Sequence, residues 1–211
     1  MEKEKPTIGS ARVFYAQIPR NLHCEEFDLP ICSDEREREI ADTANPRLKR
    51  QRYCVWQLLL QALRRVFGEE ANGVTFTKSP SGKWGCSLCE FSLSHGDEVV
   101  AVAIADRAIG VDVEKIRPTH EALAQKILTQ QQKEICAKLT PQEANKFLLT
   151  EWCKRESIFK ALQNGTVLTP TYPANLDTQT KVIGVDGDRY LLCVATEGAC
   201  EALFTDCTAK K

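Results

Sequence analysis

The chain has 211 residues, of which 43% are hydrophobic and 27% charged, and 28 Lys+Arg against 29 Asp+Glu leave a formal net charge of −1. A chain of this length and apolar content can bury a core without disulfides or structural metal, so intrinsic disorder as the main state is excluded. Near-neutral charge also argues against a protein that coats nucleic acid or an anionic membrane as a whole; any basic work is local.

No stretch reaches the roughly 18 consecutive apolar residues of a membrane span, and Met1-Glu2-Lys3-Glu4-Lys5-Pro6 lacks the apolar region of a secretory signal, so the expectation is a cytosolic (cytoplasmic) protein. The ten cysteines are irregularly spaced and read as thiols. Cys86-x-x-Cys89 alone has metal or redox spacing, and no second Cys or His pair follows at zinc-ribbon distance.

Ala11 to Ile18 alternates with β-formers and reads as a strand. Ser33 to Asp42 is a charged helix with Ser33 as cap. From Asn45 to Gly68, Tyr53, Trp56, Leu60, Leu63 and Phe67 recur at three- and four-residue intervals, which predicts an amphipathic helix closed by Gly68. The same window holds Arg47, Lys49, Arg50, Arg52, Arg64 and Arg65 and no acid, either an anion site or a solvated basic face.

Val74 to Thr77 and Phe91 to Ser94 read as strands, with a turn at Pro80-Ser81-Gly82 between them. The apolar run Val99 to Ala105, the turn Asp106-Arg107 and the alternating Ile109 to Glu114 predict a hairpin. A helical tract is expected from about Thr119 to Leu139, and after the cap Thr140-Pro141 a second one to about Leu162, stopped by Asn164-Gly165. Lys181 to Val185 and Arg189 to Ala195 around Asp186-Gly187-Asp188 form a hairpin, and Ala202 to Thr208 adds a strand. This order predicts an α+β fold with antiparallel sheets.

Three elements carry chemistry. In Ile109-Gly110-Val111-Asp112-Val113-Glu114, strand alternation puts Asp112 and Glu114 on one face, where they repel unless a cation or base stands between them. Oxygen-only ligands suit Mg²⁺ or Mn²⁺; an ordinary solvated strand is the plain alternative. In Trp152-Cys153-Lys154-Arg155-Glu156-Ser157-Ile158-Phe159-Lys160, helical geometry makes Leu148, Trp152 and Phe159 one apolar ridge with Glu156 at its margin. Glu156 then either pairs with Lys160 at i+4 or acts as a third metal oxygen or general base while Lys160 reaches a phosphate. In Phe91-Ser92-Leu93-Ser94-His95-Gly96, Ser94 and His95 point to opposite faces, a poor nucleophile–base pair, so a serine hydrolase is disfavoured; the two are either donors to an anionic ligand or part of an ordinary strand end.

Taken together, these elements resemble the 4′-phosphopantetheinyl transferase superfamily, in its long single-chain type that activates peptide and polyketide synthases. Gly82-Lys83, Phe91-Ser92-Leu93-Ser94-His95, Gly110 to Glu114 and Trp152 to Lys160 match its motifs in order. Arg155 stands where the family usually has Lys, Trp84 where Pro is usual, and Ser92 where Asn is usual.

The resemblance implies two similar α+β halves about a pseudo-twofold, 1–105 and 106–211, each with an antiparallel sheet on a long helix and the active site between them. It implies transfer of the 4′-phosphopantetheine group from coenzyme A to a serine hydroxyl of an acyl or peptidyl carrier protein by a monomeric, Mg²⁺-dependent enzyme, with Mn²⁺ as the alternative ion and no membrane or nucleic-acid partner. Asp112, Glu114 and Glu156 would hold the metal; Glu156, Lys160 and Asp112 would be catalytic; and Arg52 (or Arg50), Lys83, Ser94, His95 and Lys160 would bind coenzyme A. The rival readings are a Mg²⁺-dependent nuclease, since D-x-E with E-x-x-x-K can also build such a site, and a non-catalytic coenzyme A or carrier-binding module.

Overall fold

A computed structural model describes residues 8–23, 30–119, 121–163 and 175–208. The chain is α+β, as the element order predicts. Strands β1 (Ala11–Gln17), β4 (Glu90–Gly96), β5 (Val99–Ala105) and β9 (Ala202–Asp206) form one sheet in the order β4-β5-β1-β9. Strands β6 (Ile109–Lys115), β7 (Leu176–Val185) and β8 (Asp188–Glu197) form a second in the order β6-β8-β7. A short ribbon pairs β2 (Phe76–Lys78) with β3 (Trp84–Cys86), so the strand expected at Val74 begins two residues later.

Helix α1 (Asp34–Ala41) is capped by Ser33. Helix α2 (Pro46–Phe67) starts at the Asn45 cap with proline in its first turn and ends at Gly68, whose φ of 56° favours glycine. Its buried side, Tyr53, Trp56, Leu59, Leu60 and Leu63, packs with β4 and β5 into the first core, Trp56 lying edge-on to Trp84 at 5.1 Å. Trp84 is therefore a core residue, and unlike a proline it carries the backbone N–H of a paired strand.

The predicted helix from Thr119 to Leu139 is instead two short ones, α3 (Glu121–Ile127) and α4 (Gln130–Cys136). Thr129 interrupts it by forming a reciprocal capping box with Gln132. Helix α5 (Pro141–Leu162) starts at Thr140 with the same device and ends at Gln163 in the left-handed region; Asn164-Gly165, its expected stop, lies outside the described residues, as do the terminal Lys210-Lys211 and residues 1–7. The β7–β8 hairpin turns at Asp186-Gly187, both at positive φ.

The hairpin expected across Asp106-Arg107 is not formed. Strand β5 pairs with β1 and β4, while β6 crosses to pair with β8 in the second sheet. The hairpin is β4–β5, closed at Asp97 with φ 44°. Strands β4 and β6 are thus both sheet edges, and they meet through side chains. Ser92 Oγ accepts from Val111 N–H at 3.1 Å and Ser94 Oγ from Val113 N–H at 3.3 Å. Two serines, two residues apart, satisfy the edge donors that a ladder would otherwise use.

Replacing Ser92 with alanine strands the Val111 N–H in a buried joint and is expected to cost about 1–3 kcal/mol in a urea titration. Ser92→Asn keeps an acceptor oxygen and is expected to lose less.

Candidate functional site

Strand β6 meets β4 on one side and helix α5 on the other at points where no side chain fits. A Cβ on Gly96 would lie 2.4 Å from Val113 O, and one on Gly110 would lie 1.8 Å from Ser157 O and 2.6 Å from Ala161 N. Helix α5 therefore lies directly on β6, through Cys153, Ser157 and Ala161, a ridge of small residues at four-residue spacing that is fully or almost fully buried. This corrects the ridge expected from Leu148, Trp152 and Phe159: Leu148 is buried, Trp152 half-buried, and Phe159, 36% exposed, faces a cavity. The large side chains are kept off the sheet because Gly110 brings the backbones too close for them.

That approach sets β6 carboxylates against α5. Asp112 is only 4% exposed, and its Oδ1 accepts from Lys160 Nζ at 2.8 Å and from Ser94 Oγ at 3.0 Å. The ion pair of Lys160 is thus with Asp112, not with Glu156 one turn back in its own helix. Ser94 Oγ also accepts from Lys160 at 3.1 Å, which with Val113 N–H completes its one donor and two acceptor positions. Ser94 is accordingly a buried hub that orients Asp112 and Lys160.

Glu114 follows on the same face and accepts from Trp152 Nε1 at 2.9 Å. Burial, then the neighbouring Asp112, push its pKa up to about 7, against the Trp152 hydrogen bond and Lys160. The carboxyl of Glu156 is also pushed up, chiefly by burial, with Lys160 opposing and Asp112 adding to the rise. Asp112, Glu114 and Glu156 thus share one electrostatic neighbourhood with Lys160 as its cation.

Their all-oxygen chemistry suits a hard divalent ion, and Asp112 Oδ2 is buried with no hydrogen-bond partner. Among the described residues, no three His, Cys, Asp or Glu side chains are already gathered tightly enough to hold a metal ion.

Beside this cluster is a cavity of about 280 Å³, lined by Gly82 and Lys83 from the β2–β3 turn, Trp84 from β3, Phe91 to Leu93 from β4, and Phe159, Lys160 and the cap residue Gln163 at the end of α5. Gly82 at φ 87° makes the turn that brings Lys83 to the wall, and Ser81 Oγ donates to Gln163 Oε1 at 3.3 Å, tying that turn to the end of α5. Two ammonium groups on an otherwise mostly apolar wall suit an anionic ligand with an uncharged arm.

A second cationic group adjoins it. His95 keeps a solvent-exposed edge, yet burial of its ring, followed by the charges of Lys160, Arg52 and Arg36, pulls its pKa down to about 4. Arg52 donates to Thr43 Oγ1 at 2.8 Å and accepts through its carbonyl from Arg36 at 3.0 Å. Arg36 is a residue the sequence reading missed: it is buried in a helix that reads as merely charged, its guanidinium 5.0 Å from the Trp56 ring centroid and paired with Glu39.

The basic run of α2 is not one site. Arg47 pairs with Asp97 at 2.8 Å and Arg50 with Glu98 at 3.1 Å, which ties the helix start to the β4–β5 turn. Arg65 lies at the far end against Cys207 Sγ. Of the two arginines considered for the ligand, Arg52 is the one whose charge acts on His95.

Arg155 is 2% exposed and takes no part in the cavity wall. The Cys86 and Cys89 thiols are buried with their sulfurs 3.7 Å apart.

Residues 108–189 match the family model described as the 4′-phosphopantetheinyl transferase superfamily. That span holds Asp112, Glu114, Glu156 and Lys160; Arg52, Lys83, Ser94 and His95 lie before it. No curated protein matches the chain. No helix among the described residues is long and apolar enough to cross a membrane.

Proposed function

From a chain that carries a 4′-phosphopantetheinyl transferase superfamily domain at residues 108–189, we propose an enzyme that transfers the 4′-phosphopantetheine group of coenzyme A to a serine hydroxyl of an apo acyl or peptidyl carrier protein. The observation that carries this is the junction at Lys160, which joins the Asp112, Glu114 and Glu156 carboxylates to a cavity with Lys83 on its wall. Phosphoryl transfer needs both: cations where the diphosphate lies and a carboxylate where a hydroxyl loses its proton.

In this reading the carrier serine Oγ attacks the pantetheine-side phosphorus, the bond from that phosphorus to the bridging oxygen breaks, and adenosine 3′,5′-bisphosphate leaves. Glu156 receives the serine proton; burial raises its pKa and makes it a stronger base than an ordinary carboxylate. Lys160 holds the transferring phosphate, and Lys83, Arg52 and His95 bind the phosphates of the nucleotide end. Asp112, Glu114 and Glu156 would hold a divalent ion of the Mg²⁺ or Mn²⁺ class. Bound there, it would neutralise charge on the diphosphate. The apolar part of the cavity wall, Phe159 and Leu93, would exclude water from the uncharged arm.

The test is incubation with coenzyme A, Mg²⁺ and an apo carrier protein, read as a mass gain of one phosphopantetheine on the carrier serine. No gain with several carriers, together with cleavage of added DNA, would replace this reading with a nuclease. Tight coenzyme A binding without turnover would leave a binding module.

The cationic surroundings of His95 give a separate expectation. Its folded pKa lies below the ordinary histidine value, so protonation is disfavoured, and stability associated with His95 is lost as pH falls from about 6.5 toward 4. An anion seated among His95, Arg52 and Lys160 favours the imidazolium. NMR titration, with the His95→Gln variant for assignment, is expected to show the His95 ring titrating near pH 4 in free protein and at higher pH with adenosine 3′,5′-bisphosphate.

A further inference from the structure

Lys160 sits on a boundary. Its ammonium is 2.8 Å from Asp112 Oδ1 and 3.1 Å from Ser94 Oγ, and the same side chain lines the cavity. Toward β6 its charge acts on Glu114 and Glu156; toward β4 it acts on His95 together with Arg52 and Arg36. It is therefore the counter-ion of an acidic cluster and, at once, one member of a cationic one.

The two roles compete. Ser94 has no bonding capacity left over, because it donates to Asp112 and accepts from Val113 N–H and Lys160. Asp112 Oδ2 is buried with no hydrogen-bond partner, so it is the carboxylate oxygen left for a divalent ion. An ion there and the ammonium on Oδ1 share one carboxylate at close range in a buried setting, where like charges are poorly screened. The lysine is the partner that can leave: its side chain is 27% exposed, on a flexible stem, with the cavity beside it, whereas Asp112 is fixed by strand and serine.

We infer that Lys160 changes partners, neutralising Asp112 when no divalent ion is bound and swinging into the cavity to meet the ligand's phosphate when an ion takes Asp112. The inference rests on reading Asp112 as an ion ligand and the cavity as the phosphate site. Lys160 thereby makes the two ligands interdependent: the ion frees the ammonium the phosphate uses, and the phosphate removes the ammonium the ion must displace. By linkage the two effects are equal in free energy.

The experiment is amine footprinting of the intact protein. Lys160 is acylated with acetic anhydride and quantified by mass spectrometry against the exposed Lys138, first in chelator, then with Mg²⁺, then with Mg²⁺ and adenosine 3′,5′-bisphosphate; calorimetry reports whether Mg²⁺ binds. The expected result is weak labelling in chelator, several-fold stronger labelling with Mg²⁺ alone, and protection again with the bisphosphate. In parallel, Lys160→Met is expected to bind Mg²⁺ about tenfold more tightly than the unaltered chain when no anion is present, with its melting curve recorded to confirm folding.

Labelling that does not change while calorimetry shows Mg²⁺ bound overturns the exchange, as does unchanged or weaker Mg²⁺ binding by a folded Lys160→Met. Absence of Mg²⁺ binding to both proteins overturns it together with the ion-ligand role of Asp112. Failure of every carrier assay alongside the expected labelling cycle would strike the proposed transfer reaction alone.

Discussion

Gly110→Ala is expected to lower the melting temperature by roughly 10 °C, on the order of 3 kcal/mol or more for a chain of this size, and to reduce transfer at least a hundredfold. The added methyl group would lie 1.8 Å from Ser157 O and 2.6 Å from Ala161 N, both backbone atoms of a helix. No rotamer change can relieve that contact, so α5 has to move off β6. Asp112 lies two residues from Gly110 on β6, and Lys160 lies on the moving helix, so the 2.8 Å ion pair between them is lengthened by the same displacement. A misplacement of about 1 Å at a reacting centre can by itself cost about 10²-fold. Gly184→Ala is the control, because a Cβ there meets nothing within 4 Å; its effect is expected within about 0.5 kcal/mol. Thermal melting and the carrier mass-gain assay check both variants, and a Gly110→Ala protein with unaltered melting would refute the direct seating of α5 on β6.

The features legible in the sequence are those written locally. Asn45-Pro46 and Gly68 bound α2, Thr140-Pro141 starts α5, and Asp186-Gly187 turns the last hairpin, each because one or two adjacent residues meet a backbone requirement. Partnership between strands is not local. Asp106-Arg107 turns the chain equally well whether β6 folds back on β5 or crosses to β8, so alternation on either side of it could not decide. What decides is the edge chemistry of β4: serines at 92 and 94 that accept from the N–H groups of β6, and Gly96, where the backbone lies too close to Val113 for a side chain.

The site divides in the same way. Asp112, Glu114, Glu156 and Lys160 were found as residue types at the right spacing, but their pairing was not: helical spacing favours Glu156 with Lys160, and the structure pairs Lys160 with Asp112 across the joint. Small residues mislead a reading that looks for large apolar ones, which is why Cys153, Ser157 and Ala161 escaped notice as the contact face of α5. Arg36 escaped for the opposite reason, since four of its neighbours from Asp34 to Arg38 are charged and a buried guanidinium over Trp56 leaves no periodic trace.

Asp112→Asn is expected to reduce phosphopantetheine transfer by about 10³-fold while costing only about 1 kcal/mol of stability. The substitution keeps the shape and leaves an amide oxygen where Oδ1 accepts from Ser94, so the contact of Ser94 with residue 112 is retained across the joint between β4 and β6. What it removes is charge, with two consequences of known sign. Lys160 loses its anionic partner and is released toward the cavity without any divalent ion, so its footprint becomes strong in chelator and insensitive to Mg²⁺. Glu114 loses the like charge that helps raise its carboxyl to about 7, so its pKa falls, though burial keeps it above the usual carboxylate range. A phosphate-binding lysine that is already free cannot compensate for a missing ion ligand, and the transfer step loses charge neutralisation at the diphosphate. Urea unfolding separates this from a folding defect, and single-turnover mass gain on the carrier reads the rate. Transfer within tenfold of the unaltered protein would remove Asp112 from the reaction, and with it the assignment of the β6 carboxylates as the acidic half of the site.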